Sequence, residues 1–337
     1  MDHHWILRSL LGSATLLAGQ AAFAEDSAGR WSIEAELEIG LEAIVDADDP
    51  EAEVSDVFLS AEIDAAFAIS DRISIFTTLS FESVTDAEAD RAFEDLGLYV
   101  GELGLSFDLE PVTLNLGKLS IPFGSAWETA PGYFGADIAD AYEIEEAIGI
   151  QAEIELGDAV LSLAAFYPDD TRLSDSFGTR RGRNDLSEGG VGNTGKLNNF
   201  ALQYDRAFDA TTLHFGLRHL AQGEEDRDET GVALGVTHAI GEDIELIAEY
   251  ARFNGWEGED ANASIATIGA SLTRGDVTYS AAFSQRRISD APTDHLIALG
   301  VDYTFGNDMT LSAGLARFRE EGEDTTALAV SVTIPFE

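Results

Sequence analysis

Carboxylates recur at every second position near the start of the chain. In WSIEAELEIGLEAIV, residues 31–45, the acids Glu34, Glu36, Glu38 and Glu42 alternate with apolar side chains. Successive side chains of a β-strand point to opposite faces, so this segment predicts a strand with one apolar and one acidic face. A row of carboxylates facing confined water attracts cations. The chemistry of the segment therefore depends on which solvent lies on each side of the strand.

The acidic phase continues on the next strand, whereas bases on the same phase are few. We predict that seven carboxylates line this face: Glu34, Glu36, Glu38, Glu42, Asp56, Glu62 and Asp64. The bases predicted on the same face are Lys118, Arg218 and Arg286. Such an excess of carboxylates over bases favours cations wherever the face lines a water-filled space.

Composition excludes several functions. The 337 residues include 63 acidic and 19 basic side chains, a net charge of -44 that excludes a general affinity for nucleic acid. Cysteine is absent, which excludes disulfides and thiolate chemistry. Residues 1–24 resemble a secretory signal peptide that ends at Ala22-Phe23-Ala24, so we expect the mature chain to begin at Glu25. No later apolar run is long enough for a membrane-spanning helix, which leaves an exported β protein.

Period-two alternation recurs along residues 25–337, and its interruptions alternate between short and long. Seven short connections, such as 70–72 and 274–276, and eight longer ones, the last at 320–325, separate sixteen predicted strands of about ten residues. A missed or merged hairpin would change this count to 14 or 18. An open sheet of this size would leave two unpaired edges, which lipid does not tolerate. We therefore predict an all-β, antiparallel transmembrane barrel with short periplasmic turns and long extracellular loops.

Aromatic side chains support this orientation because they collect at both ends of the apolar phase. On the predicted lipid face they are Trp31, Phe67, Phe107, Tyr279, Tyr303, Phe305 and Phe336 at one rim, and Phe81, Tyr99, Tyr167, Phe200, Tyr250 and Phe283 at the other. Two aromatic girdles are typical of outer-membrane barrels. The acidic phase would then line the lumen.

The alternation slips once, in VTLNLGKLSIPFG, residues 112–124. We predict a bulge near Gly117 that keeps Leu119 and Ile121 outward and turns Lys118 inward. The GKLSIPFG block, followed by a long third loop, resembles the phosphate-selective porins and, more closely, the LbtU-type siderophore porins. This resemblance implies a diffusion channel or uptake barrel whose third loop folds into the lumen.

The third loop, residues 122–145, carries many aromatic side chains for a solvated loop. Its candidate constriction residues are Trp127, Glu128, Tyr133, Phe134, Asp137, Asp140 and Tyr142. Burial in the barrel mouth would explain the aromatics, whereas capping the outside or docking a second subunit is the alternative. Inside the barrel, the acids of the loop would face Arg218 and Arg286 across the pore and create a transverse field.

Arginines end the outward apolar series on three strands. Arg252, Arg287, Arg317 and Arg319 all follow lipid-facing residues at predicted extracellular ends. Arginine is tolerated at that depth because the side chain reaches the interface. We predict that these residues bind lipopolysaccharide of the outer leaflet; simple tolerance at the rim is the alternative.

The remaining motifs give weaker indications of function. Arg180, Arg181 and Arg183 lie in a glycine-rich loop, residues 168–197, that is typical of a solvated segment. A receptor for an anionic solute or lipopolysaccharide is the alternative. Pro50 interrupts the acidic run at 46–53, so no metal site is predicted there. Neither a paired-histidine motif nor a nucleophile elbow occurs, and we predict no catalytic residues and no cofactor.

The sequence thus predicts a cation-preferring outer-membrane channel for small polar or cationic solutes. A dedicated siderophore or nutrient uptake barrel is the alternative within transport, and a poorly conducting structural or adhesive barrel is the alternative outside it. The partners expected are outer-membrane lipid and lipopolysaccharide. A homotrimer and a monomer are both compatible with the sequence.

Overall fold

The computed structural model describes residues 29–223 and 227–336. The predicted signal peptide lies outside them. Within the described residues, sixteen strands build the wall. They are β1 (Trp31–Ala47), β2 (Ser55–Ser70), β3 (Ile73–Ser83), β4 (Leu96–Asp108), β5 (Val112–Leu119), β6 (Ala147–Glu155), β7 (Ala159–Pro168), β8 (Asn199–Phe208), β9 (Thr211–Leu220), β10 (Glu229–Ile240), β11 (Ile244–Asn254), β12 (Asn262–Arg274), β13 (Val277–Ile288), β14 (Thr293–Thr304), β15 (Thr310–Glu320) and β16 (Glu323–Phe336).

The sheet closes on itself. Each strand pairs antiparallel with its neighbours in sequence, and β16 returns to β1, with Ala35 opposite Phe336 and Leu41 opposite Val330. Two short bridges, Arg91–Ala92 and Phe177–Gly178, add to the sheet from loops. The predicted closed barrel of sixteen strands is confirmed.

Within residues 29–223 and 227–336, helical structure is confined to short turns in the loops, including α1 (Ala126–Thr129). In the described part of the chain, no helix has the length and apolar character needed to cross a membrane.

Strand lengths and turns differ from the prediction in detail. β1 has 17 residues, whereas β5 has 8. The predicted loop at 320–325 is wrong, because Glu320 pairs with Glu323 and only two residues turn the chain. Both turn residues, Glu321 and Gly322, have positive φ, which closes a tight hairpin and lets the strands extend through polar residues.

The two faces of the wall differ in exposure as the alternation predicts. Leu41 is 43% exposed and its neighbour Glu42 is 5% exposed. The aromatic girdles follow the same phase at most positions; Trp31 and Phe67, for example, pack together at one rim. Tyr99 is an exception, because its hydroxyl donates to Glu82 on the lumen side. Its place in the outer girdle was wrong, since an extra residue in β4 shifts the phase opposite Thr78 and Leu79.

β5 is the shortest strand of the wall, with 8 residues, and after it the chain enters the interior of the barrel. Gly117 has φ of +146°, and a Cβ there would lie 2.2 Å from the carbonyl oxygen of Leu103, so only glycine fits. The predicted outward orientation of Leu119 and Ile121 is wrong. They are 2% and 1% exposed and belong to a cluster with the inward residues Ala147, Ala164, Phe166 and Ala201.

Candidate functional site

Residues 120–146, which we call the inner loop, lie against the inside of the barrel. The aromatic residues of this loop are buried: Phe123 is 1%, Trp127 8%, Phe134 5% and Tyr142 1% exposed. They form one hydrophobic cluster with residues that point inward from β10 to β16, including Ala233, Phe253, Leu296 and Ala316. The aromatics therefore attach the loop to the wall and do not project into the open lumen.

Small side chains on β10–β16 make room for the inner loop. The wall positions in the cluster include eight alanines: Ala233, Ala251, Ala263, Ala282, Ala298, Ala316, Ala327 and Ala329. A Cβ on Gly269 would lie 2.3 Å from Cδ of Pro131, and one on Gly314 would lie 2.7 Å from Cβ of Tyr133. Larger side chains at these positions would displace the loop. Sequence reasoning missed this surface, although the small size of the inward residues on these strands was a visible signal.

Glu249 on β11 holds the outgoing and returning limbs of the inner loop together. Its carboxylate accepts hydrogen bonds from Ser125 N at 2.7 Å, Ser125 Oγ at 2.9 Å and Ala126 N at 3.1 Å, and from the hydroxyl of Tyr142. Glu249 is 6% exposed, so four donors replace the water that its charge has lost. We call this arrangement the Glu249 clamp. The sequence shows Glu249 only as one inward acid among many.

Arg218 on β9 forms a second attachment and does not line the pore as predicted. Its guanidinium pairs with Glu229 at 2.5 Å and donates to the carbonyl oxygen of Tyr142 at 2.7 Å. It also lies over the rings of Phe123 and Phe253. The side chain is 5% exposed because the inner loop covers it. A field between the loop and Arg218 across the pore is therefore excluded.

Lys118, also predicted to line the pore, is 1% exposed. Its ammonium group lies 2.6 Å from Glu146 and 3.0 Å from Asp169, and it donates to the carbonyl oxygen of Leu173. The predicted bulge is absent, so the register places Lys118 opposite Leu103 and Ile148. Leu103 is exposed on the outward phase of the wall, and Lys118 shares that phase. The loop after β7 covers this position, so Lys118 has no contact with lumenal water.

The third predicted base, Arg286 on β13, is 21% exposed and points inward. It pairs with Asp294 at 2.8 Å and with Glu320 at 3.2 Å. Its charge is thus balanced by two carboxylates. None of the three predicted bases leaves an unbalanced positive charge in the lumen.

The inner wall of β1 and β2 is acidic, and its lower part is open to solvent. Glu34 lies opposite Asp64, and Glu36 lies opposite Glu62, so carboxylates face each other across the two strands. Glu34, Glu36 and Asp64 are exposed, and Glu62 is partly exposed. Like charges placed directly opposite one another are unfavourable unless water or cations separate them.

The remaining three predicted acids are buried. Glu38 is 8% exposed and Glu42 is 5% exposed. Asp56 is also 5% exposed and pairs with Arg91 at 2.6 Å, from the loop between β3 and β4. The seven predicted acids therefore separate into an exposed lower group and a covered upper group.

The acids of the inner loop differ in their surroundings. Glu128 is exposed, whereas Asp137 and Asp140 are partly buried. Loss of hydration inside the barrel raises the pKa of Glu128, the nearby charge of Asp205 adds to this rise, and His214 opposes it. His214 itself contacts Asp205 at 2.7 Å. The exposed side of the loop thus adds negative charge to the lumen.

The long loop before β8 is folded onto the barrel and is not simply solvated. Phe177–Gly178 pairs with Gly97 and Leu98 of β4, the edge that the short β5 leaves uncovered. Arg181 lies 3.9 Å from the ring centre of Tyr99 and pairs with Glu146 at 2.5 Å. Arg180 and Arg183 also bind groups of this loop, Asp175 and the carbonyl of Asp170. The loop completes the wall above β5.

Residues 29–223 and 227–336 contain no group of three or more histidine or acidic side chains arranged to hold a metal ion.

Comparison with known proteins gives similarity in structure but not in sequence. No protein-family model and no curated protein matches the sequence. Among solved structures, a variant of the porin of Rh. blastica superposes with a TM-score of 0.63 at 18% identity, covering 91% of this chain and 100% of that one. The outer membrane channel DcaP of Acinetobacter baumannii superposes with a TM-score of 0.66 at 10% identity, covering 91% and 97%. The chain thus has the sixteen-stranded barrel fold of outer-membrane porins. The finer resemblance to siderophore or phosphate-selective porins stays a prediction.

Proposed function

We propose that this protein is an outer-membrane porin whose water-filled, acidic lumen passes small polar or cationic solutes. The fold supports this proposal because a closed barrel has no unpaired strand edge and carries an apolar outer face. A barrel of sixteen strands is wide enough to leave an aqueous channel.

One observation carries the cation preference. The inner loop packs on β6–β16, while carboxylates of β1 and β2, including Glu34, Glu36 and Asp64, stay exposed inside the barrel. The bases Lys118, Arg218 and Arg286 are covered or paired. A water-filled path between these surfaces is bordered mainly by negative charge, which concentrates cations and repels anions.

The balance of lumenal charge also bears on the uptake alternative. A route for anionic ferric carboxylates requires a basic lumen, and the paired arginines do not provide one. We therefore favour general diffusion of small solutes over dedicated siderophore uptake. A homotrimer and a monomer are both compatible with this proposal.

Single-channel recording in planar bilayers tests the proposal, with a variant that lacks residues 127–140 as the comparison. The ends of this deletion lie close together because Ser125 and Tyr142 both bind Glu249. We expect discrete steps for the native protein and larger steps for the deletion variant. A folded native barrel that gives no steps, beside a conducting deletion variant, would instead define a plugged barrel.

A further inference from the structure

The lipid-facing surface of three neighbouring upward strands ends in exposed arginines. Arg252 is on β11, Arg287 on β13, and Arg317 and Arg319 are on β15. Arg252 and Arg287 both lie opposite Ser264 of β12, so they share one row of the sheet. Upward strands are two strand spacings apart, about 10 Å. We call these four residues the arginine belt.

The depth of the belt follows from strand geometry. Val277 and Arg287 are ten residues apart on β13, about 33 Å along a strand that rises about 3.3 Å per residue. At a tilt of about 40° this distance is roughly 25 Å along the membrane normal, the height of the apolar band of such barrels. With Val277 and Tyr279 at the periplasmic interface, Arg287 reaches the headgroups of the outer leaflet.

The side chains below the belt are apolar and exposed. Tyr250 precedes Arg252 by two residues and is 46% exposed, and Leu315 precedes Arg317 by two residues and is 42% exposed. Phe283, 38% exposed, lies four residues before Arg287. A ligand bound to this surface therefore contacts apolar side chains in its lower part and guanidinium groups in its upper part.

The belt retains uncompensated positive charge. In the described part of the chain, Arg317 pairs with Asp324 at 3.1 Å but stays 55% exposed, and Arg252, Arg287 and Arg319 make no salt bridge. These guanidinium groups stand out on a chain of net charge -44. Arginine binds phosphate through two parallel hydrogen bonds, which suits an anionic headgroup.

We propose that the arginine belt binds the phosphates of an acylated, phosphorylated lipid of the outer leaflet, the lipid A part of lipopolysaccharide, while the apolar residues below it contact the acyl chains. The proposal rests on the outer-membrane location of the proposed porin, but not on its conductance. The combination of an apolar face with guanidinium groups above it favours a lipid over a free anion.

The test measures binding of purified lipid A to the protein in neutral detergent, with inorganic phosphate as a separate arm. The belt variant replaces Arg252, Arg287, Arg317 and Arg319 with glutamine. The control variant replaces Arg206 and Arg274 with glutamine. These two arginines are exposed and lie near the periplasmic ends of β8 and β12. We expect the native protein and the control to bind lipid A and to unfold at a higher temperature with it. The belt variant should bind at least tenfold more weakly and show little shift.

Equal lipid A binding by all three proteins would overturn the proposal, and so would an equal thermal shift with inorganic phosphate, which would define a site for free anions. A belt variant that unfolds early in neutral detergent would show that the arginines act through protein contacts. The single variants Arg252→Gln and Arg287→Gln, which disturb no salt bridge, check that outcome. Conductance of the belt variant should equal that of the native protein, which separates this proposal from the proposed function.

Discussion

Replacing Glu249 with alanine should loosen the inner loop without opening the barrel. The substitution removes the acceptor shared by Ser125 N, Ser125 Oγ, Ala126 N and the hydroxyl of Tyr142. The β11 backbone keeps its ladders with β10 and β12, so the wall itself stays paired.

The size of the effect follows from the donors left behind. Each buried donor without a partner costs about 1–3 kcal/mol, so four donors cost roughly 4 kcal/mol even at the lower limit. Burial of each large apolar side chain contributes about 1.5–3 kcal/mol, and Phe123, Trp127 and Phe134 keep theirs. The loss at the Glu249 clamp is therefore comparable to the burial of two aromatic residues. We expect a loop that remains attached near Phe134 but moves at residues 124–127 and 142.

Single-channel recording detects this motion as noise in the open-channel current. We expect the noise of Glu249→Ala to rise several-fold and the mean conductance to rise less than in the variant lacking residues 127–140. Glu245→Ala is the matched control. This substitution removes the same charge from the same face of β11, but Glu245 is exposed. Native-like noise in Glu249→Ala, or equal noise in both variants, would refute the role of the clamp.

Two further predictions concern the same loop. Leucine at Gly269 should displace Pro131, because Cδ of Pro131 would lie 2.3 Å from the new Cβ, and the conductance should change. Leucine at Gly306, which has open space around it, should leave the conductance unchanged. Equal conductance in both variants would contradict the close packing. Because its pKa is raised, Glu128 should lose its charge at a higher pH than an ordinary glutamate. Cation preference should therefore fall on acidification, and Glu128→Gln should reduce that dependence; identical pH profiles of the reversal potential would contradict it.

The strands could be predicted from the sequence because lipid and lumen impose opposite requirements on successive residues. Residues 31–45 show this most clearly, since one phase is apolar and the other carries four glutamates. Closure followed from the cost of unpaired edges in lipid. The pattern was strong enough to count the strands, although tertiary pairing extended β15 and β16 through polar residues to a two-residue turn.

The same reasoning fails where the inner loop covers the lumenal face. There an inward residue meets protein instead of water, so apolar Leu119 and Ile121 point inward and the polar pattern no longer marks the lumen. Arg218 was predicted to face water, yet the inner loop covers it and Glu229 pairs with it. Lys118 was misplaced for a different reason: the predicted bulge is absent, and Glu146 and Asp169 bind its ammonium group in a buried position. Such contacts join residues far apart in the chain, as Ser125 and Glu249 are, and no local pattern contains them.

The reversal potential in a potassium chloride gradient tests the central claim, an open lumen bordered by the acids of β1 and β2. The native channel should prefer potassium over chloride. Replacing Glu34, Glu36 and Glu62 with glutamine and Asp64 with asparagine should move the reversal potential toward zero, because these four residues form the two facing pairs of the exposed lower group. A native channel that prefers chloride, or a variant whose reversal potential equals that of the native protein, would contradict the account.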